Sequence, residues 1–167
     1  PHLLRQPSVE TCVACHGDVA AQLHHVSHHP VRDGRLSCAS CHQPDIEAAG
    51  LRGPHGINSL CTSCHAEHGE LATYEHPIGS EVALEGEGCT VCHAPHGAPN
   101  RRLLRRPGDT LCLQCHLAPA GHRTAHNGIY AGLGCLECHT EIHGSFTNRA
   151  LRSPHPLGED CLACHGR

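Results

Sequence analysis

The fourteen cysteines of the 167-residue chain all fall into one string, Cys-x-x-Cys-His, repeated seven times. In chain order the motifs are Cys12/Cys15/His16, Cys38/Cys41/His42, Cys61/Cys64/His65, Cys89/Cys92/His93, Cys112/Cys115/His116, Cys135/Cys138/His139 and Cys161/Cys164/His165. No cysteine is left over. Were the 20 histidines scattered at random, a His after all seven pairs would have a probability on the order of 10^-7, so the histidine is part of the motif.

The spacing has a chemical reason. Cysteines three apart lie on one side of a helical turn and can form thioethers to the two vinyl positions of a haem edge, and the next residue then falls beneath the iron. Seven covalent c-type haems are therefore expected, with His16, His42, His65, His93, His116, His139 and His165 as proximal axial ligands. Zinc ribbons pair two Cys-x-x-Cys units per ion and need no trailing histidine, so seven units would leave one orphaned. Disulfides satisfy the parity of the cysteines but give no reason for the histidines.

Thirteen histidines remain for the second axial position: His2, His24, His25, His28, His29, His55, His68, His76, His96, His122, His126, His143 and His155. Methionine and lysine are absent, so the sixth ligand is His or the position is open. Internal repetition narrows the choice. PHLLRQPSVETC (1–12), PHGAPNRRLLRRPGDTLC (95–112) and IHGSFTNRALRSPHPLGEDC (142–161) share a leading His, a Leu-Arg pair, a Pro and then a motif, and PHGINSLC (54–61) is a shortened version. They alternate with HPVRDGRLSC (29–38), HPIGSEVALEGEGC (76–89) and HNGIYAGLGC (126–135), in which a His leads to Gly and a motif.

Each pair of segments makes a two-haem unit recurring every 46 to 51 residues, the period of an array whose units pack on their neighbours. Three and a half units predict a single heptahaem domain over 1–167. One upstream histidine per motif then gives His2, His29, His55, His76, His96, His126 and His143 as distal ligands. His96 lies too close to His93 to cross to the far side of the same haem and is expected on a neighbour. His28 competes with His29, His122 with His126 and His155 with His143. The other spare histidines are read as surface groups or as partners of the haem propionates.

The rest of the composition suits a cofactor-built fold. One Phe, two Tyr and no Trp or Met leave little for a side-chain core, so porphyrin faces must supply it. The expected fold class is mostly irregular with short α-helices at the motifs and little or no β, an elongated array with the 18 Gly and 12 Pro in its loops. A net charge of −4 does not suggest nucleic-acid binding. No apolar run reaches the ~18 residues of a membrane span. No targeting segment opens the sequence, and the cysteine chemistry is read as that of an exported chain whose signal has been removed. Arg101, Arg102, Arg105 and Arg106 are either propionate partners or a solvated basic run.

CHGDVAAQLHHVSHHPVRDGRLSCASCH (15–42), CHAEHGELATYEHP (64–77), CHAPHGAPNRRLL (92–104) and CLECHTEIHGS (135–145) resemble the repeated segments of the MtrA/DmsE-type decahaem cytochromes. The resemblance implies a haem wire with histidine on both faces of each iron, placed in the periplasm or threaded through the outer membrane.

Function follows as an expectation. Irons closed on both faces bind no substrate and run at lower potential than His/Met haems, which predicts electron transfer and no enzyme activity. The partners are other redox proteins, in the periplasm or at the cell surface. A second reading has copies of the chain stacked end to end as a conducting extracellular filament. A third, a multihaem reductase, would need one five-coordinate iron.

Overall fold

A computed structural model describes residues 8–42, 54–69, 71–76, 88–117 and 134–152. They fall into two compact units. The first holds 8–42, 54–66 and 88–107, with motifs 1 to 4; the second holds 67–69, 71–76, 108–117 and 134–152, with motifs 5 and 6. Most of the described chain is irregular. Its helices are short: α1 (Val9–Val13), α2 (Gly17–Gln22), α3 (Pro54–Thr62) and α4 (Asp109–Cys112). The strands, β1 (Ser27–His28), β2 (Tyr74–Glu75), β3 (Gly97–Ala98) and β4 (Gly144–Ser145), are two residues each. The expected class, irregular with short helices and little β, is the class observed.

The motifs themselves generate most of the helical turns. In each of the six described motifs the His N–H donates to the carbonyl of the first cysteine, at 2.8 to 3.1 Å, and the second cysteine's N–H donates to the same carbonyl at 3.2 to 3.3 Å. A single turn thus closes on one acceptor, which places both cysteines on one side. In motifs 1, 3 and 5 this turn ends a short α-helix, α1, α3 or α4; in motifs 2, 4 and 6 it is a 3₁₀ turn (Cys38–Ser40, Gly88–Val91, Cys135–Glu137). α3 begins on Pro54, whose missing N–H is harmless in the first turn.

Each unit contains the same strand pair. In the first, β1 runs antiparallel to β3, with Ser27 opposite Ala98 and His28 opposite Gly97. In the second, β2 runs antiparallel to β4, with Tyr74 opposite Ser145 and Glu75 opposite Gly144. His29-Pro30 and His76-Pro77 follow β1 and β2, while His96 and His143 precede β3 and β4. The strand glycines are needed for close approach: a Cβ at Gly97 would collide with the Gln22 carbonyl oxygen, and one at Gly144 would lie 2.7 Å from the Ala72 Cβ.

Among the described residues the buried apolar side chains are Leu23 and Ala98, and Ser145 is equally buried at Ala98's matching position. Val26, Leu71, Leu117 and Phe146 are exposed. Side chains alone make almost no core here, as the composition led one to expect.

Gly97→Ala should therefore destabilise the first unit, by about 1–3 kcal/mol for an overpacked site. Thermal unfolding followed by circular dichroism checks this, with Gly17→Ala, where a Cβ meets nothing within 4 Å, as the neutral comparison.

Candidate haem sites

Motifs come together in consecutive pairs. The thiols of Cys61 and Cys89 are hydrogen-bonded to each other, as are those of Cys12 and Cys38, and of Cys112 and Cys135. Sharing a proton pushes Cys61 up and holds Cys89 down, at about 7. Burial, with Asp109 beside it, pushes Cys135 up to about 11.

Sequence reasoning treated the two cysteines of a motif as equivalent, and the structure separates them. The first cysteines, Cys12, Cys38, Cys61, Cys89, Cys112 and Cys135, are half-buried, because each packs on the first cysteine of the adjoining motif. Three residues on, the second cysteine gains no cover from that contact. Cys15, Cys41, Cys64, Cys115 and Cys138 are exposed, and Cys92 alone of the described second cysteines is half-buried. Among the described residues no cysteine is joined to another in a disulfide. Among the described residues no three His, Cys, Asp or Glu side chains gather as they would around a bare metal ion. Cys15, Cys41, Cys64, Cys92, Cys115 and Cys138 each donate their N–H to the carbonyl of their motif's first cysteine. Each stands beside its half-buried partner on one turn, which is the arrangement that two thioethers to one haem edge require.

A second contact fixes two of these motif pairs. Asn58 Oδ1 accepts the Cys89 N–H at 2.9 Å and the Cys89 thiol at 3.1 Å. Asp109 Oδ1 accepts the Cys135 N–H at 2.7 Å. Asn58 and Asp109 each stand three residues before the first cysteine of their own motif. Sequence reasoning missed both. The signal it could have used is that shared offset together with the Gly before the receiving cysteine, Gly88 or Gly134.

The histidines fall into facing pairs. His29 faces His65 with ring centroids 6.2 Å apart, His96 faces His42 at 5.9 Å, and His76 faces His116 at 6.0 Å. Metal–imidazole bonds of about 2 Å on opposite sides of one ion put two ring centroids about 6 Å apart. The three pairs match that span. Each joins a histidine directly after its Cys-x-x-Cys to one of the spare thirteen.

The pairings pass over a motif. His29, which lies before motif 2, faces motif 3, and His76, before motif 4, faces motif 5. His96, just after motif 4, faces motif 2 and not its neighbour His93. All three are among the histidines picked out one per motif, and each faces a motif other than the nearest one.

Ring nitrogens are also set for ligation. The Nδ1–H of His93 donates to the Arg102 carbonyl at 2.8 Å, that of His139 to the Ala150 carbonyl at 2.6 Å, and that of His29 to the Pro95 carbonyl at 2.5 Å. A carbonyl at Nδ1 fixes the tautomer that leaves the Nε2 lone pair open to a metal. Burial and the facing ring lower His76 and His96 from the usual histidine value, which favours the neutral, ligating form.

The carbonyls on His93 and His139 are presented by one device used twice. Asn-Arg-Arg-Leu (100–103) and Asn-Arg-Ala-Leu (148–151) both end on a leucine in left-handed backbone, Leu103 at φ 59° and Leu151 at φ 54°, with Arg102 also at φ 58°. Left-handed backbone is unfavourable for a branched residue and persists where the surroundings impose it. Here it turns the preceding carbonyl onto the histidine. The Leu-Arg pair seen in the sequence repeats borders this strap: Leu104-Arg105 follows the first copy directly, and Leu151-Arg152 begins on the last residue of the second. Arg105, one of the four arginines read as propionate partners or as a solvated basic run, donates through Nε to the Thr90 carbonyl at 2.6 Å, inside motif 4.

Other site residues stand as follows. His16 lies at the start of α2, His28 is on β1 with Nδ1 on the His25 carbonyl at 2.7 Å, and His55 is in α3. His143 packs against His68 with centroids 4.1 Å apart, too close for one iron between them. His68, read from sequence as a surface group, is therefore in the neighbourhood of a candidate ligand. His2, His122, His126, His155, Cys161, Cys164 and His165 lie outside the described residues.

The family model for the doubled CXXCH motif matches residues 82–121, the stretch containing motifs 4 and 5. A multiheme cytochrome MtrA from Shewanella baltica (strain OS185) is 32% identical over 159 residues, which is 87% of this chain and 46% of that protein. The chain belongs to the multihaem c-type cytochromes. This cytochrome spans about half the length of the relative it matches, and its thiol pairs, facing imidazoles and fixed tautomers fit covalently bound haem c.

Replacing His29, His76 or His96 by Ala should each convert one haem equivalent from low to high spin, read by EPR and by the charge-transfer region of the optical spectrum. His24→Ala, which alters none of the three facing pairs, serves as the control.

Proposed function

We propose that this cytochrome relays electrons through seven covalent c-type haems, each held by histidine on both faces, and catalyses no reaction of its own. The reading is supported chiefly by the three facing imidazole pairs at 5.9 to 6.2 Å. Histidine on both sides excludes substrate from the metal and favours a low potential. The haem supplies the one-electron chemistry, and the chain's own residues attach it, orient its ligands and fix its distance to the next.

In each motif the cysteines supply the thioethers and the following histidine the proximal nitrogen. His29, His76 and His96 supply distal nitrogens to motifs 3, 5 and 2. His2, His55, His126 and His143 belong to the same pool for the remaining haems. Straps of the Asn-Arg-x-Leu type hold His93 and His139 in one ring orientation, in which Nε2 would be open to the haem iron.

Electron relay requires partners at both ends of the route, and these are other redox proteins, met in the periplasm or at the cell surface. The likeness to a multiheme cytochrome MtrA supports that setting. No helix among the described residues is long and apolar enough to cross a membrane.

Intact-mass measurement under denaturing, reducing conditions should find seven haem masses retained on the chain, and fewer than seven overturns the count. All irons should be low-spin in the as-purified protein. A high-spin signal amounting to one haem, unchanged by reduction and reoxidation, would replace the relay with a reductase.

A further inference from the structure

We propose that the side chain three residues before motifs 3 and 5 tunes the haem of the following motif, so that Asp109 holds the motif 6 haem at a lower reduction potential than Asn58 allows at motif 4. The inference rests on the electron-transfer reading above. It adds to that reading a built-in energetic difference between two haems in equivalent positions.

The two places are geometrically alike. Asn58 Oδ1 and Asp109 Oδ1 each accept the N–H of the next motif's first cysteine, at 2.9 and 2.7 Å. Both reach it over a glycine. A Cβ at Gly88 would collide with the Asn58 amide oxygen, and one at Gly134 would lie 3.1 Å from Asp109 Oδ1. Gly88 also has φ +52°, which disfavours a side chain there.

Among the described motif pairs the contact occurs in these two. At motif 1 the same offset holds Val9, which has no acceptor, and the residue before Cys38 is Ser37. That turn is closed internally, the Ser37 N–H donating to Ser40 Oγ at 3.1 Å. Glycine accompanies the acceptor where it exists and is replaced where it does not. A feature needed only to cap the turn could have been supplied by serine throughout, as in motif 2.

The two acceptors differ in charge. Asn58 is neutral, whereas Asp109 brings a carboxylate to a half-buried position against Cys135, whose sulfur would carry one thioether of the motif 6 haem. That sulfur also touches Cys112 of the preceding motif, so the carboxylate sits where two haem edges are attached. Accepting one electron takes an iron from ferric to ferrous and removes one positive charge from the site. A fixed negative charge nearby stabilises the ferric form and lowers the potential, more strongly in a partly desolvated position than in bulk water. Equal hydrogen bonding with unequal charge makes motif 4 the better electron acceptor of the two.

The test exchanges the charges and keeps the hydrogen bond. Asp109→Asn, Asn58→Asp and the double exchange are prepared as holoproteins and checked for parental haem content by intact mass. They are then titrated potentiometrically with dithionite and ferricyanide while the optical spectrum is recorded. The expected result is an upward shift in Asp109→Asn, largest in one single-electron component, a downward shift in Asn58→Asp, largest in another, and both shifts in the double variant. Each shift should shrink as ionic strength rises, which a purely structural role would not produce. Fully loaded variants whose curves superimpose on the parent, or shift with the opposite sign, overturn the proposal and leave electron transfer standing. A parent protein that carries no covalent haem would instead remove the reading on which it rests.

Discussion

A separation of about 6 Å between imidazole rings is the constraint on which the rest of this molecule depends. His29 and His65, His42 and His96, and His76 and His116 all meet it, and few side-chain contacts could hold those segments together otherwise. The described residues bury only Leu23 and Ala98 as apolar side chains. Burial at ~25 cal/mol per Å² of apolar surface cannot order a chain that hides so little of it. The apolar porphyrin faces of covalently bound haem take over the role that a hydrophobic core plays elsewhere.

Given that constraint, the polypeptide solves the same local problem several times with the same parts. Each described motif closes its turn on the first cysteine's carbonyl, so thiols and histidine keep one relative placement whether the flanking turn is α or 3₁₀. Two-residue strand pairs, His28 with Gly97 and Glu75 with Gly144, then bring the histidine after one strand and the histidine before the other to fixed positions. Such short strands have little stability of their own. They act as local clips, and the glycines in them are dictated by contact with Gln22 and Ala72. Left-handed Leu103 and Leu151 complete the unit by aiming a carbonyl at a ring nitrogen.

Much of this was legible in the sequence, for identifiable reasons. Covalent attachment is written in contiguous residues, so the motifs and proximal histidines could be read directly, and the scarcity of aromatic residues announced the thin core. The unequal cover of the two cysteines in a motif was not legible, since it comes from the adjoining motif and not from the string itself. The repeat picked out His29, His76 and His96, which the structure finds in facing pairs. It could not say which motif each one meets, because the choice depends on how segments 36 to 54 residues apart are folded against each other. Asn58 and Asp109 escaped for a related reason: an Asn in one repeat and an Asp in another look like variation until both are found on a cysteine N–H. The Leu-Arg pair was visible as a repeat, but the left-handed leucine at or beside it was not, since the sign of φ leaves no mark in a leucine.

The pairing of His29 with His65 and of His42 with His96 has a consequence for how such a chain can be matured. The two loops interleave, since residue 42 lies inside the first and residue 65 inside the second. Neither can be completed as a finished block before the other begins, and a nascent segment ending before residue 65 has no partner for His29. Closing loops of these lengths differs little in entropy from one to the next, as the penalty grows only logarithmically, so chain length does not set the order of closure. The stretch from 29 to 96 is thus completed as one interleaved piece and not loop by loop.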